Sequence, residues 1–179
     1  MVLNLHGLYG KSCNTAYKEL THLGKQIMSP QFHYEDKDPL RLRHDLLAPI
    51  DFEYVVGTSF GGFLALVVSA IRNIPCILIN PCIPPATYIE QLVPGYRYTD
   101  VLVNMMPDEI SAPIFVILGS DDDVICKDTT IAQLAQLRDD SNNSNIYVNV
   151  IPGGHKLSGK QFSDMFRKGV ETIENIKKA

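Results

Sequence analysis

The runs CILIN (76–80) and IFVILG (114–119) show no alternation of apolar and polar residues. A strand that is apolar along its whole length has to be covered on both sides. Such strands belong to parallel sheets with helices packed above and below. Further strand-like runs are VLNLH (2–6), FEYVVG (52–57) and NIYVNVI (145–151), with QFHYE (31–35) as a weaker one. Between them lie segments of helical pattern. In 13–27, Ala16, Leu20, Leu23 and Ile27 recur at spacings of three and four. In 38–47, Asp38 stands as N-cap with Pro39 at the first helical position. Apolar or amphipathic patterns also cover about 60–72, 128–140 and 159–178. The alternation predicts an α/β fold: a doubly wound parallel sheet of about six strands with helices on both faces.

The stretch 81–112 breaks this rhythm. Pro81, Pro84, Pro85, Pro94 and Pro107 fall in it and Pro113 follows it. It is too long for an ordinary connection, so it reads as a helical excursion or small cap. With 179 residues, the chain reads as a single domain, 1–179.

Composition narrows the function classes. A hydrophobic fraction of 45% with 20% charged residues is that of an ordinary globular protein. The net charge of -4 and the lack of any basic run argue against a nucleic-acid or anionic-membrane surface. No apolar run approaches the ~20 residues that span a bilayer. Cys13, Cys76, Cys82 and Cys126 form no C-x-x-C pair, and no secretory leader precedes the first strand. This reads as a cytoplasmic protein with reduced thiols.

At 57–62, GTSFGG brackets Ser59 with Gly57, Gly61 and Gly62, between a strand and an apolar helix. A serine on such a tight turn stands exposed above the carboxyl end of its strand, and nearby glycines relieve the crowding. The helix that follows points its free N–H groups at the same spot. A serine hydroxyl needs a base to become a nucleophile. Of the five histidines, His22 and His44 fall in helical patterns, and His33 falls in the weak strand. His155 lies in PGGHK, in a loop between the last strand and the last helix, at the carboxyl edge of the sheet. The base in turn needs an acid. Asp121, Asp122 and Asp123 follow the strand 114–119 at that same edge, and one of them can orient the base. Adjacent carboxylates seldom bind one ion together, so no metal is expected there. One oxyanion donor is the N–H of Phe60. The other comes from the loop after the first strand, where Leu8 is the best candidate and Tyr9 the next. His6 reads as holding that loop.

With these residues assembled, the chain resembles the α/β-hydrolase superfamily, and more closely its small, nearly capless YqiA-like esterases. The likeness rests on LHG (5–7), GTSFGGFLA (57–65), LINPCIPP (78–85), LGSDDDV (118–124) and PGGHK (152–156). The order Ser59, Asp, His155 is that of the superfamily. The resemblance implies Asp122, three residues after Gly119, as the acid. It also implies a minimal fold with little or no cap and no cofactor. Hydrolysis of a small-molecule carboxylic ester or thioester is the activity it implies. Tyr9, Pro81, Ile83 and Tyr88 are then expected to contact substrate.

An acyltransferase on the same triad, or a non-catalytic binding module on this fold, are the competing readings. A nucleotide-binding protein is disfavoured because HGLYGKS (6–12) lacks the spacing of a phosphate loop.

Overall fold

The computed structural model describes residues 1–47 and 49–176. The elements run β1 (Val2–Leu5), α1 (Thr15–His22), β2 (Ile27–Met28), α2 (Pro39–Leu46), β3 (Tyr54–Thr58), α3 (Phe60–Arg72), β4 (Cys76–Ile79), α4 (Pro85–Leu92), α5 (Thr99–Met105), β5 (Ile114–Gly119), α6 (Lys127–Ser141), β6 (Ile146–Ile151) and α7 (Gly159–Ile176). All six strands are parallel, in the order β2-β1-β3-β4-β5-β6. Among the described residues, no helix is long and apolar enough to cross a membrane.

Successive strand residues point to opposite faces, so each inner strand feeds two cores. In β5, Ile114, Val116 and Leu118 face one core, while Phe115 and Ile117 face the other. The first core is closed by α3 through Phe63, Leu64 and Val67, with α2, α5 and α6 beside it. The second is closed by Ala16 and Leu20 of α1 and by Phe162, Phe166, Val170 and Ile173 of α7. Full burial of each such side chain contributes about 1.5–3 kcal/mol, which is why the central strands carry no polar face. β6 is an edge strand and leaves Val148 and Val150 in solvent.

The structure shortens the first predicted helix. Leu23 caps it, Gly24 takes φ 69°, and the N–H groups of Gly24 and Lys25 bond back to Thr21 and Leu20. This paired closure needs a left-handed residue, and glycine supplies it. Ile27 is therefore free to enter a strand instead of extending the helix. The predicted strand at 31–35 is also corrected: the edge pairing is made by Ile27–Met28 and ends before Pro30. Proline lacks the N–H a ladder requires, and the N–H of Phe32 is taken by His6. Asp38 caps α2 as expected, accepting from the Leu40 N–H at 2.9 Å. The last two residues of the predicted closing helix, 177 and 178, lie outside the described residues.

The stretch 81–112 folds into α4 and α5, whose Ile89, Leu102 and Met105 join the first core. Because α1 leaves β1 toward one face and α3 leaves β3 toward the other, a crevice opens between these neighbouring strands at their carboxyl ends. In open parallel sheets such a crossover point is where ligands bind.

Candidate active site

Ser59 sits between β3 and α3 at φ 55° and ψ -122°. A non-glycine residue held there stores about 1–3 kcal/mol of strain. The surroundings fix it in place. Its N–H donates to Ile79 O at 2.9 Å, and its carbonyl accepts from Gly62 at 2.8 Å and Cys82 at 3.0 Å. The bracketing glycines have a steric cause. A Cβ on Gly57 would lie 2.2 Å from Gly61 O, and one on Gly61 would lie 2.3 Å from His6 O. The first turn of α3 thus packs directly on the ends of β3 and β1.

His155 reaches this serine from the loop after β6. Its Nε2 lies 3.1 Å from Ser59 Oγ. Its Nδ1 lies 2.9 Å from Oδ2 and 3.1 Å from Oδ1 of Asp122. An ionised carboxylate only accepts, so Nδ1 carries the proton and Nε2 presents a lone pair to the serine hydroxyl. Asp122 Oδ1 also accepts from the N–H groups of Val124 and Ile125, each at 2.9 Å. Burial pushes the Asp122 carboxyl up. The His155 bond and these N–H groups outweigh it and hold the pKa below the ordinary carboxylate value. The Asp122 side chain is 2% exposed and that of His155 19%, so the carboxyl is sealed while the imidazole is partly open. Asp121 and Asp123 are exposed, and Asp121 accepts from Ser120 Oγ.

The loop after β1 passes over the serine. A Cβ on Gly7 would lie 3.0 Å from Ser59 Cβ. Gly10 N–H closes a tight turn on Gly7 O at 3.0 Å, with Tyr9 at φ 54°. The N–H groups of Leu8 and Phe60 bond to no other protein group among the described residues.

His6 is fully buried and anchors this loop. A backbone N–H can only donate, so Phe32 N–H fixes His6 Nε2 as an acceptor at 3.0 Å. Nδ1 must then carry the proton and donate to Gly7 O at 2.7 Å. Burial lowers the His6 pKa, against the opposing pull of Gly7 O and Glu35. His6→Leu strands a buried N–H and a carbonyl. It is expected to destabilise the fold by about 1–3 kcal/mol in urea titration at pH 7. The pH dependence has a definite sign. The unfolded histidine takes up its proton first, so stability is complete above 6.5 and is lost as pH falls below it. His6→Leu should remove that part of the slope below pH 6.5.

One residue of the site had no role assigned from sequence. Asn80, at the end of β4, is 1% exposed and has φ 40°. Its Nδ2 donates to Gly154 O at 3.1 Å and His155 O at 2.9 Å, and its Oδ1 accepts from Gly119 N–H at 2.7 Å. It therefore ties the strand end that carries the acid to the loop that carries the base. Its visible signal was an asparagine before a proline at a strand end, where the left-handed conformation suits Asn. Asn80→Asp keeps the size and the acceptor but cannot donate to the two carbonyls. If Ser59 and His155 react as proposed below, ester kcat should fall about 100-fold with KM less affected, since small misplacements of reacting groups have effects of that size.

A cleft of about 240 Å³ opens beside Ser59 and His155, between the N-terminal ends of α1 and α7. Leu8 lines it, but Tyr9, Pro81, Ile83 and Tyr88 do not. The four therefore stand outside the lining of this cleft. Ile83 is 1% exposed within the first core, and Tyr88 packs with Cys82 and Ile125. Pro81 lies against Gly62. Tyr9 projects into solvent, its hydroxyl 3.4 Å from Leu92 O. Cys82 meets the elbow only through its backbone, and burial pushes its thiol up to about 12. Among the described residues, no group of three or more His, Cys, Asp and Glu side chains is placed to hold a metal ion.

The fold defined by this sheet and its helices is that of the α/β hydrolases. The chain is similar to alpha/beta hydrolase domain-containing protein 10 from mouse, with a TM-score of 0.70 at 15% identity over 99% of this chain and 89% of that one. Est1E from Butyrivibrio proteoclasticus aligns with a TM-score of 0.68 at 18% identity, over 97% of this chain and 88% of that one. A monoacylglycerol lipase from Paleococcus ferrophilus gives 0.64 at 14% identity, over 96% and 94%. No family model and no curated protein matches the sequence.

Proposed function

We propose that the chain is a serine hydrolase that cleaves small carboxylic esters or thioesters through an acyl-enzyme. The observation that carries this reading is His155, hydrogen-bonded to Ser59 Oγ on one ring nitrogen and to Asp122 on the other. Ser59 Oγ attacks the carbonyl carbon while its proton passes to Nε2 of His155. The carbonyl oxygen becomes an oxyanion held by the N–H groups of Leu8 and Phe60, each donor contributing about 3 kcal/mol to the barrier. The imidazolium gives its proton to the leaving alcohol or thiol as the bond to it breaks. Water then attacks the acyl-enzyme with His155 again as base, releasing the acid and restoring Ser59. Asp122 holds the imidazole in the required tautomer and supports its charge. No cofactor enters this chemistry.

The hydrogen-bonded run from Ser59 through His155 to Asp122 favours catalysis over a binding-only role, because a binding module has no use for a base and an acid aligned on a serine. The four free cysteines favour a reducing, cytoplasmic setting. The motifs LINPCIPP and PGGHK favour a place near the YqiA-like esterases. Hydrolysis of p-nitrophenyl acetate and butyrate by the purified chain tests the reading. Turnover is expected in the wild type, and a loss of about 1,000-fold or more in His155→Ala. An inert wild type, or a variant of unchanged rate, would overturn it.

A further inference from the structure

The cleft beside Ser59 has a composition and a shape that bear on the substrate. Its inner wall is made by Ala16 of α1, Ile79 at the end of β4, Leu157 in the loop before α7, and Phe162 in the first turn of α7. These four are 1%, 3%, 5% and 1% exposed and belong to the core between α1, α7 and the sheet. Behind these residues lies the packed core. Besides Ser59 and His155, its polar side chains are His6 and Thr58 at the strand ends, Asn14 and Thr15 at the start of α1, and Lys156 after His155. No carboxylate lines it among the described residues. Its two walls are tied together, because Ser163 Oγ of α7 donates to Glu19 of α1 at 2.8 Å and Lys25 pairs with Glu174. It is a preformed cleft with an apolar inner wall, and it opens at Ser59.

We propose that this slot binds the acyl chain of the substrate, and that Ala16 and Thr15 set the longest chain it takes. The proposal rests on the hydrolase reading above. The acyl group stays attached to Ser59 through two chemical steps while the leaving group has to depart. A cleft with an apolar inner wall suits the part that stays, and the open side near exposed Tyr9 suits the part that leaves. Volume sets the length. A cavity of about 150 Å³ holds a six-carbon ring. A slot of about 240 Å³ therefore holds a medium chain of about six to eight carbons. The small side chain of Ala16 is what leaves that space. A larger group there fills the slot without touching Ser59, His155 or Asp122.

The test uses two series with wild type, Ala16→Leu and Thr15→Leu. In the first, p-nitrophenyl esters run from acetate to dodecanoate. In the second, acetate esters carry alcohols of growing length. Wild-type kcat/KM should rise from acetate to a maximum near hexanoate or octanoate and then fall. Ala16→Leu should lower the octanoate-to-acetate ratio at least about tenfold, since a methylene or two in an apolar pocket changes rates by that much. Thr15 is half-buried on the rim, so Thr15→Leu gives the same direction without altering the core if Ala16→Leu fails to fold. The alcohol series should respond little to either. A wild type that turns over acetate but falls steadily with acyl length would overturn the proposal and leave the hydrolase reading standing. So would variants that shift the alcohol series and not the acyl series. A wild type inert on every ester would remove both.

Discussion

Ser59→Ala is expected to lower ester kcat by roughly 10⁵–10⁶-fold, the scale seen when the nucleophile of such a triad is removed. Everything else in the account stays in place in this variant. His155 keeps its bond to Asp122, and the elbow keeps its four backbone hydrogen bonds through the Ser59 N–H and carbonyl. Only the bond from Oγ to His155 is lost, so folding stability should change by no more than about 1 kcal/mol. Ser59→Gly makes a useful companion. The wild-type backbone sits at φ 55°, which glycine adopts freely. Released strain of about 1–3 kcal/mol outweighs glycine's greater chain entropy of about 0.4–1 kcal/mol. The glycine variant should therefore unfold at a higher urea concentration than the alanine one while being equally inactive. Urea titration of the three proteins beside their ester kinetics checks both halves.

Asp122→Asn is expected to lower kcat by about 10⁴-fold at neutral pH, through tautomer and not through shape. The reason is specific to this turn. The N–H groups of Val124 and Ile125 both point at Oδ1 of Asp122. An asparagine must offer its oxygen to those two donors, which turns its NH₂ toward His155. The imidazole Nδ1 then has to accept, and the ring proton moves to Nε2, where it faces Ser59 Oγ. A base that already holds its proton on that nitrogen cannot take another from the serine. The protein should fold as the wild type does, because Asn preserves both turn bonds. Circular dichroism and kcat measured on one preparation separate this outcome from a folding defect. An Asp122→Asn variant within tenfold of wild type would mean that Asp122 does not set the tautomer.

Much of the architecture could be read from residues that strands and helices cannot share. The uninterrupted apolar runs at 76–79 and 114–118 require cover on both faces, and the structure provides it with α3 on one side and α7 on the other. The edge of the sheet was harder to read. Ile27 continues the helical spacing of Ala16, Leu20 and Leu23, so periodicity alone extends α1 past Gly24. The left-handed glycine decides the matter, and its weight depends on where the chain goes next. Ser59, His155 and the aspartate run 121–123 were legible because each sits just past a strand end, and a parallel sheet carries all such ends to one edge; only the family resemblance singled out Asp122 within that run. The hydrogen bonds of Asn80 were not legible, since they join the end of β4 to the end of β5 and to the loop after β6, both distant in sequence. The cleft was also hidden. Its wall comes from α1 and α7, which lie at opposite ends of the chain and meet only in three dimensions. Ile83 and Tyr88, which the resemblance led one to expect beside the substrate, are buried instead in apolar clusters.

Covalent trapping with a short alkyl fluorophosphonate tests the central claim most directly, because it reads the nucleophile itself and needs no knowledge of the natural substrate. Attack by Ser59 Oγ forms an oxygen–phosphorus bond and expels fluoride, with His155 taking the serine proton. Intact mass should show one adduct per chain and peptide mapping should place it on Ser59. His155→Ala should slow the reaction about 1,000-fold, and Ser59→Ala should abolish it. An adduct on another residue, or a wild type that stays unlabelled while Ser59 remains hydrogen-bonded to His155, would contradict the account.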